Sequence, residues 1–381
     1  MTNEMKKVPE LRFTGFEEEW EEKKLERFSD IGTGKSKIQS VAYGEYANLG
    51  STGIIGKSNK YDYEGDFILT ARVGHYAGKL YKYSGKVNIS DNTIYLQNIK
   101  NKNFVFELLN AFKLERLVFG TGQPLIKSSD IKKLKVLIPT IEEQKKIGDF
   151  FSKLDRQIEL EEQKLAKLEE QKKGYMQKIF SKELRFKDEN GNNYPEWEEK
   201  NLKELIDVRD GTHESPKPSK DGYLLVTSKN LKNSKLDLSE SYFISKEDYE
   251  SINQRSKVEI GDILFGMIGT IGNPILLEEC DFAIKNVALL KTNDLLEKYY
   301  ILNFLKSSNI SKQFYRMNAG GTQKFIALST IRDLNIDMPS SEEAIKIGNF
   351  FNKVDNLIEN QSNKLELLKK RKQGFLQKMF I

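Results

Sequence analysis

Between residues 139 and 180 apolar side chains recur at alternating steps of four and three, at Ile147, Phe151, Leu154, Ile158, Leu165, Leu168, Tyr175 and Ile179. The spacing returns 200 positions later as Ile347, Phe351, Val354, Ile358, Leu365, Leu368, Phe375 and Met379. This is the heptad seam of a coiled coil, sustained well beyond the ordinary helix of about 11 to 12 residues. Two matching seams in one chain most simply pack on each other. Polar residues interrupt both at the same places, Glu161 and Gln361, then Lys172 and Lys372. Thr140 with Glu143, and Ser340 with Glu343, have the spacing of a capping box, so both helices are expected to start alike. Residues 141–173 would make a rod of roughly 50 Å, which Gly174 and Gly374 are expected to end or kink.

The repeat extends beyond the seam. Pro139 to Phe180 and Pro339 to Phe380 align without a gap, with 20 of 42 positions identical. Leu11-Arg12-Phe13 and Glu19-Trp20-Glu21-Glu22-Lys23 return as Leu184-Arg185-Phe186 and Glu196-Trp197-Glu198-Glu199-Lys200. A period this long exceeds the 20 to 50 residues of solenoid units and fits a duplicated domain. Between leader and helix the halves scarcely match. Only scattered signals return: Gly65, Asp66 and Leu69 against Gly261, Asp262 and Leu264 or Phe265, each read as a turn entering a strand, and the run from Gly120 through Gln123 to Pro139 against Gly320 through Gln323 to Pro339. Strands are expected at 67–69, 87–89, 93–96, 223–227 and 283–290, and helices at 104–117 and 299–316. The fold class is α+β: two globular parts, 1–139 and 181–339, each followed by a long helix, 140–180 and 340–381.

Composition narrows the function. Net charge is only +5, but residues 30–138 carry +7 and residues 207–338 carry −1. A basic first part can meet DNA phosphate, whereas the second needs local loops or a partner. The single cysteine, Cys280, can make no internal disulfide, and residues 1–13 have no apolar signal core, which points to the cytoplasm. The most apolar run, Ile263 to Leu277, is too short and too broken by glycine to span a membrane.

Motifs for catalysis are missing. Gly34-Lys35-Ser36 and Gly56-Lys57-Ser58 end like a phosphate-binding loop, but Ser29 and Ser51 stand where its first glycine is required, so both read as polar surface loops. His75, His213 and Cys280 are far apart in sequence and imply no metal site. What remains is binding chemistry in the unlike parts, small and polar residues that let backbone approach closely and donate to phosphates and base edges. Candidates in the first half are Lys35, Ser36, Lys37, Ser51, Thr52, Lys57, Asn59, Lys60, Arg72, Thr121 and Gln123; in the second they are Thr212, His213, Lys217, Lys220, Ser228, Lys229, Asn230, Arg316, Thr322, Gln323 and Lys324.

The repeated PTIEEQKKIGDFFSKLD and PSSEEAIKIGNFFNKVD, the QKKGYMQKIF and RKQGFLQKMF endings, YGEYANLGSTGIIGKS (43–58) and YLLVTSKNL (223–231) together resemble the specificity subunits of type I restriction-modification systems. The resemblance covers nearly the whole chain. It implies two target-recognition domains that each read one half of a bipartite, asymmetric double-stranded DNA site, and helices packed as an antiparallel coiled coil with pseudo-two-fold symmetry. It further implies a non-catalytic chain with no cofactor of its own. S-adenosylmethionine, ATP and magnesium would sit on partners: two modification subunits that methylate adenine, and restriction subunits that move along and cut DNA. A coiled-coil interaction scaffold without DNA specificity would account for the helices but not for the unlike loop-rich parts.

Overall fold

The computed structural model describes residues 7–120, 122–232, 234–269, 271–292, 295–317 and 325–381. Two compact units form, Met1–Gln163 with Ser362–Ile381, and Lys164–Gln361, so each unit takes half of each long helix. In chain order the first carries β1 (Glu21–Lys24), β2 (Asp30–Thr33), β3 (Tyr46–Gly50), β4 (Gly53–Ser58), β5 (Tyr63–Ala71), β6 (Leu80–Ile89), β7 (Thr93–Gln97), α1 (Lys102–Phe112), α2 (Ser128–Lys133), β8 (Lys135–Ile138) and the start of α3 (Ile141–Phe180). The second carries β9 (Glu198–Asn201), α4 (Leu202–Leu205), β10 (Asp207–Asp210), β11 (Tyr223–Thr227), β12 (Leu231–Lys232), β13 (Lys235–Leu236), β14 (Tyr242–Ile244), α5 (Lys246–Ser256), β15 (Ile263–Gly266), β16 (Gly272–Leu276), β17 (Phe282–Lys285), β18 (Val287–Lys291), α6 (Lys298–Leu305), α7 (Ser308–Met317), α8 (Leu328–Arg332) and β19 (Asn335–Met338), before α9 (Ser341–Met379).

Inside each unit the helix halves run antiparallel. In the first, Phe150 meets Phe375 at 5.0 Å between ring centroids, Phe151 meets Phe380 at 5.8 Å, and Asp155 pairs with Lys372 at 2.6 Å. In the second, Tyr175 meets Phe350 at 5.2 Å, Phe180 stacks on Phe351 at 5.7 Å, and Lys172 pairs with Asp355 at 2.5 Å. The seam "breaks" Lys172 and Lys372 are therefore reciprocal ion pairs. Ile147, Phe151, Leu154, Ile347, Phe351, Leu365 and Leu368 are buried in the seam, whereas Ile158, Leu165, Leu168, Val354 and Ile358 are half-buried. Neither helix ends at its glycine. Both continue past Gly174 and Gly374, since the next turns carry Ile179, Phe180, Met379 and Phe380, at most 7% exposed, into the two cores. That burial outweighs a helix-interior glycine cost of about 1 kcal/mol.

The capping boxes are half formed. Thr140 Oγ1 and Ser340 Oγ each accept the N–H three residues on, but the carboxylates of Glu143 and Glu343 turn to the leaders instead. Arg12 grips buried Glu143 with two bonds of 2.7 and 2.8 Å, and Arg185 grips buried Glu343 at 2.8 and 3.3 Å. Leu11 N–H donates to the Lys378 carbonyl and Leu184 N–H to the Lys178 carbonyl, while β1 pairs with β8 and β9 with β19. These contacts explain why the leader is repeated along with the helix.

The globular parts, nearly unrelated in sequence, share one topology. The first has strand order β2-β7-β5-β6-β3-β4; the second has β10-β18-β15-β16 and β14-β11-β17. Long β6 pairs with β5 at one end and, in parallel, with β3 at the other; in the second unit β16 takes the former place beside β15 and β17 the latter beside β11. The strand expected at 283–290 thus divides into β17 and β18 at Asn286, which sits at φ 54°. The helix expected at 299–316 divides into α6 and α7, and that at 104–117 ends at Lys113, φ 61°. Gly65 is not a turn but lies within β5, opposite Gly85 of β6, both at positive φ. The first sheet must curl. Tyr63 lies opposite Val87 and Ala71 opposite Thr93; a straight β5 would set those ends about 26 Å apart, but the chain from 87 to 93 reaches at most about 21 Å.

One charged position tests the packing. Lys306, at the end of α6, has its pKa pushed down to about 8, first by burial and then by Lys172, partly opposed by Asp355. A lysine whose folded pKa lies below its unfolded one carries a penalty that is full below pH 8 and relieved as pH rises towards 10.5. Lys306→Met should therefore stabilise the second unit at pH 7 by roughly 1–3 kcal/mol, with the gain shrinking by pH 10, as read from melting curves.

Candidate nucleic-acid interface

The curled sheet of the first unit brings three loops together. Ser36 N–H donates to the Ile89 carbonyl and Gly34 N–H to the Thr93 carbonyl, so the segment after β2 lies across the turn that joins β6 to β7. Gly34 must be glycine there, because a Cβ would sit 2.3 Å from the Ile89 and Ser90 carbonyl oxygens. The β3–β4 tip reaches the same turn, where Ser51 Oγ and Arg72 N–H both donate to the Asn92 carbonyl, at 3.4 and 2.8 Å. Lys35, Ser36, Lys37, Ser51 and Thr52 consequently line one cleft of about 630 Å³ with Ser90, Asp91 and Asn92. Exposed Gln123 lies in the adjoining segment, whose Pro124 carbonyl accepts Gly74 N–H.

Other candidates lie elsewhere. Gly56-Lys57-Ser58 is part of strand β4 rather than a loop, with Lys57 opposite Ala47 at the end of the hairpin away from Ser51; Asn59 and Lys60 follow it. Ser36 is half-buried, and its hydroxyl accepts Ile89 N–H at 3.1 Å, which makes it a brace. Thr121, Thr322, Gln323 and Lys324 lie outside the described residues.

The second unit builds the same junction from different residues. Gly211 N–H donates to Val287 and Thr212 N–H to Ile284, and a Cβ on Gly211 would sit 2.4 Å from the Ile284 oxygen. Ser228 Oγ donates to the Asn286 carbonyl at 2.9 Å and accepts Met267 N–H at 3.1 Å. Gly34, Ser51 and Asn92 thus have counterparts in Gly211, Ser228 and Asn286. Beside Asn286 stands His213, its Nδ1 2.8 Å from Asn286 Oδ1 and its Nε2 3.0 Å from Asp210, which also receives Arg255.

Two candidates here are corrected. Ser228 is 4% exposed and spends its hydroxyl on the junction; Asn230, 3% exposed, accepts from Thr227 N–H and hydroxyl and donates to the Asp237 carbonyl and Ser241 Oγ. Neither has a group left for a ligand. Lys229 between them is exposed. Lys217 and Lys220 flank Ser219, which bonds edge strand β14 through Phe243, and Arg316 is exposed on the last turn of α7.

Several of the candidate loop cations carry free charge. Lys35, Lys37, Lys217, Lys220 and Lys229 are exposed, with no ion pair among the described residues. The lysines of the basic run of α9 are by contrast paired: Lys369 with Glu162 at 2.6 Å, Lys370 with Glu366 at 2.6 Å, and Lys372 with Asp155 and Glu107, while Arg371 lies over the Phe375 ring. Sequence reasoning missed Asp91, Asn92 and Asn286, although Ser-Asp-Asn between two β-like runs is a turn signal that could have found the first two. Among the described residues no helix is long and apolar enough to cross a membrane.

Comparison with known proteins adds to this geometry. The model of the family described as "Type I restriction modification DNA specificity domain" matches residues 17–170 and 194–370. The chain is 24% identical over 335 residues, 81% of its own length and 77% of the relative, to the type I restriction enzyme MjaVIII specificity subunit of Methanocaldococcus jannaschii. To the putative MjaX specificity subunit of the same organism it is 31% identical over 213 residues, 53% of this chain and about half (49%) of the relative. In fold it is similar to the S subunit of a type I restriction-modification system from M. genitalium, with TM-score 0.69, 16% identity, and 98% and 99% of the two chains covered.

Proposed function

Because the chain belongs to the family of type I restriction-modification DNA specificity domains, we propose that it is the DNA-reading subunit of such a complex, and that its two globular parts each read one half of a bipartite, asymmetric site. The observation that carries this reading is the shared topology with unlike surfaces: the same strand order, glycine and serine braces hold one junction in each unit, and the side chains presented there differ. The chemistry is a partner's. Modification subunits, two per complex, hold S-adenosylmethionine and methylate adenine where this chain places them; restriction subunits hold ATP and magnesium and cut unmodified DNA.

Lys35 and Lys37 act on phosphate, as exposed cations that line the cleft and have no ion pair among the described residues. In the assembled complex, Lys35→Ala or Lys37→Ala should weaken binding about equally on all sequences and lower the slope of log K against log salt by about one. An unchanged slope would remove them from the interface. The reading as a whole is tested by co-expression: the modification subunits methylate a defined bipartite sequence with this chain and no defined sequence without it. Sequence-restricted methylation in its absence would contradict the proposal.

A further inference from the structure

The two junctions are built alike in their backbone bonds and differently in the side chains they present. A glycine with no room for a Cβ (Gly34, Gly211), a serine hydroxyl on an asparagine carbonyl (Ser51 on Asn92, Ser228 on Asn286) and a parallel strand pair (β3 with β6, β11 with β17) fix the backbone in both units. On this common frame the first unit presents Asp91 and Asn92, both exposed and with side chains unpartnered among the described residues, next to Ile55, an apolar residue 52% exposed in the same cleft. The second presents Asn286 together with the His213 ring. A pair of readers for different sequences needs rigid backbone under variable side chains, and these junctions supply it.

We infer that the asparagine turn is the base-reading element in each unit, Asp91–Asn92 for one half-site and Asn286 with His213 for the other; the inference rests on the DNA-reading assignment above. The groups suit base edges in the major groove. The Asn92 amide offers the donor and acceptor that match adenine N7 and N6, the Asp91 carboxylate accepts from an exocyclic amine, and Ile55 can meet a thymine methyl. Lys35 and Lys37 flank the cleft as phosphate contacts, so base and backbone chemistry meet in one place. In the second unit His213 is a positioning residue, its Nδ1 holding Asn286 Oδ1 at 2.8 Å and its Nε2 held by Asp210, which leaves the Asn286 amide nitrogen to donate to a base edge.

The test maps methylated sites for complexes carrying single substitutions in the full-length chain. Asn92→Ala should relax one position of the half-site that depends on residues 21–138, lowering discrimination there about tenfold or more, and leave the other half-site intact. Asn286→Gly, which tolerates the left-handed backbone, should do the converse. An original motif from both variants, or a change in the wrong half, overturns the inference. If Asn92→Ala abolishes methylation, Asn92→Asp decides, because it keeps the size and exchanges the amide donor for an acceptor: an altered base supports the assignment, whereas the original motif, or no methylation at an unchanged melting temperature, overturns it. Exchange of residues 21–138 for those of another family member, run in parallel, separates the two levels. If the exchange changes a half-site and the point variants do not, only the turn assignment falls; if the exchange changes nothing, the DNA-reading assignment falls.

Discussion

A fragment of residues 1–181 will form a symmetric dimer, and together with modification subunits it will direct methylation of a palindrome of the first half-site. The expectation rests on how closely the two units reproduce each other's helix contacts. In the first unit, 362–379 supplies Lys372 to Asp155 and Leu11 bonds the Lys378 carbonyl. In the second, 164–180 supplies Lys172 to Asp355 and Leu184 bonds the Lys178 carbonyl. Residues 164–180 of one fragment can therefore take the place of 362–380 on its partner, closing an isologous interface. Doubling Glu161 is tolerable, because Glu161 pairs with Lys364, whose counterpart Lys164 is present in the fragment. The loss is at Glu162, which would face Glu169 instead of Lys369, a surface cost of about 1 kcal/mol or less. Sedimentation should give a dimer; a monomer at micromolar concentration, or methylation of the original asymmetric site, would show that the helix halves are not interchangeable.

The second large effect is on stability. Arg12→Met should destabilise the first unit by about 3–5 kcal/mol, since it leaves the Glu143 carboxylate, with no exposed side-chain surface, without its only charged partner among the described residues. Arg12→Met with Glu143→Gln should recover most of that loss, because the stranded charge rather than the missing bond carries the cost. Arg185→Met should be milder. Trp197 Nε1 still donates to Glu343 at 2.9 Å, whereas the buried Nε1 of Trp20 has no hydrogen-bond partner among the described residues. Melting of the three variants orders them; equal losses for Arg12→Met and Arg185→Met would rule out the role given to Trp197.

What could be read from the sequence is what repeats at short range. The 3.5-residue seam fixed both long helices, and the identical leaders announced a contact whose partner, 131 residues from Arg12 and 158 from Arg185, only the fold supplies. Lys172 and Lys372 look like defects in an apolar stripe because their aspartates lie on the other helix. The common topology of the globular parts was hidden for a different reason. It is held by backbone bonds, by Gly34 and Gly211, and by serine hydroxyls on carbonyls, while β6 is continuous in one unit and replaced by β16 and β17 in the other. Polar composition also could not separate outward residues from braces: Lys35 and Thr52 line the cleft, whereas Ser228 and Asn230, in an equally polar stretch, are folded inward by their own hydrogen bonds.

The central claim is that each globular part reads its own half-site. Its most direct measurement is the methylated sequence, mapped across a genome, for a full-length chain in which residues 21–138 are replaced by those of another family member. The account predicts that one half of the site changes and the other half keeps every base. A site that changed in both halves, or in neither, would contradict it.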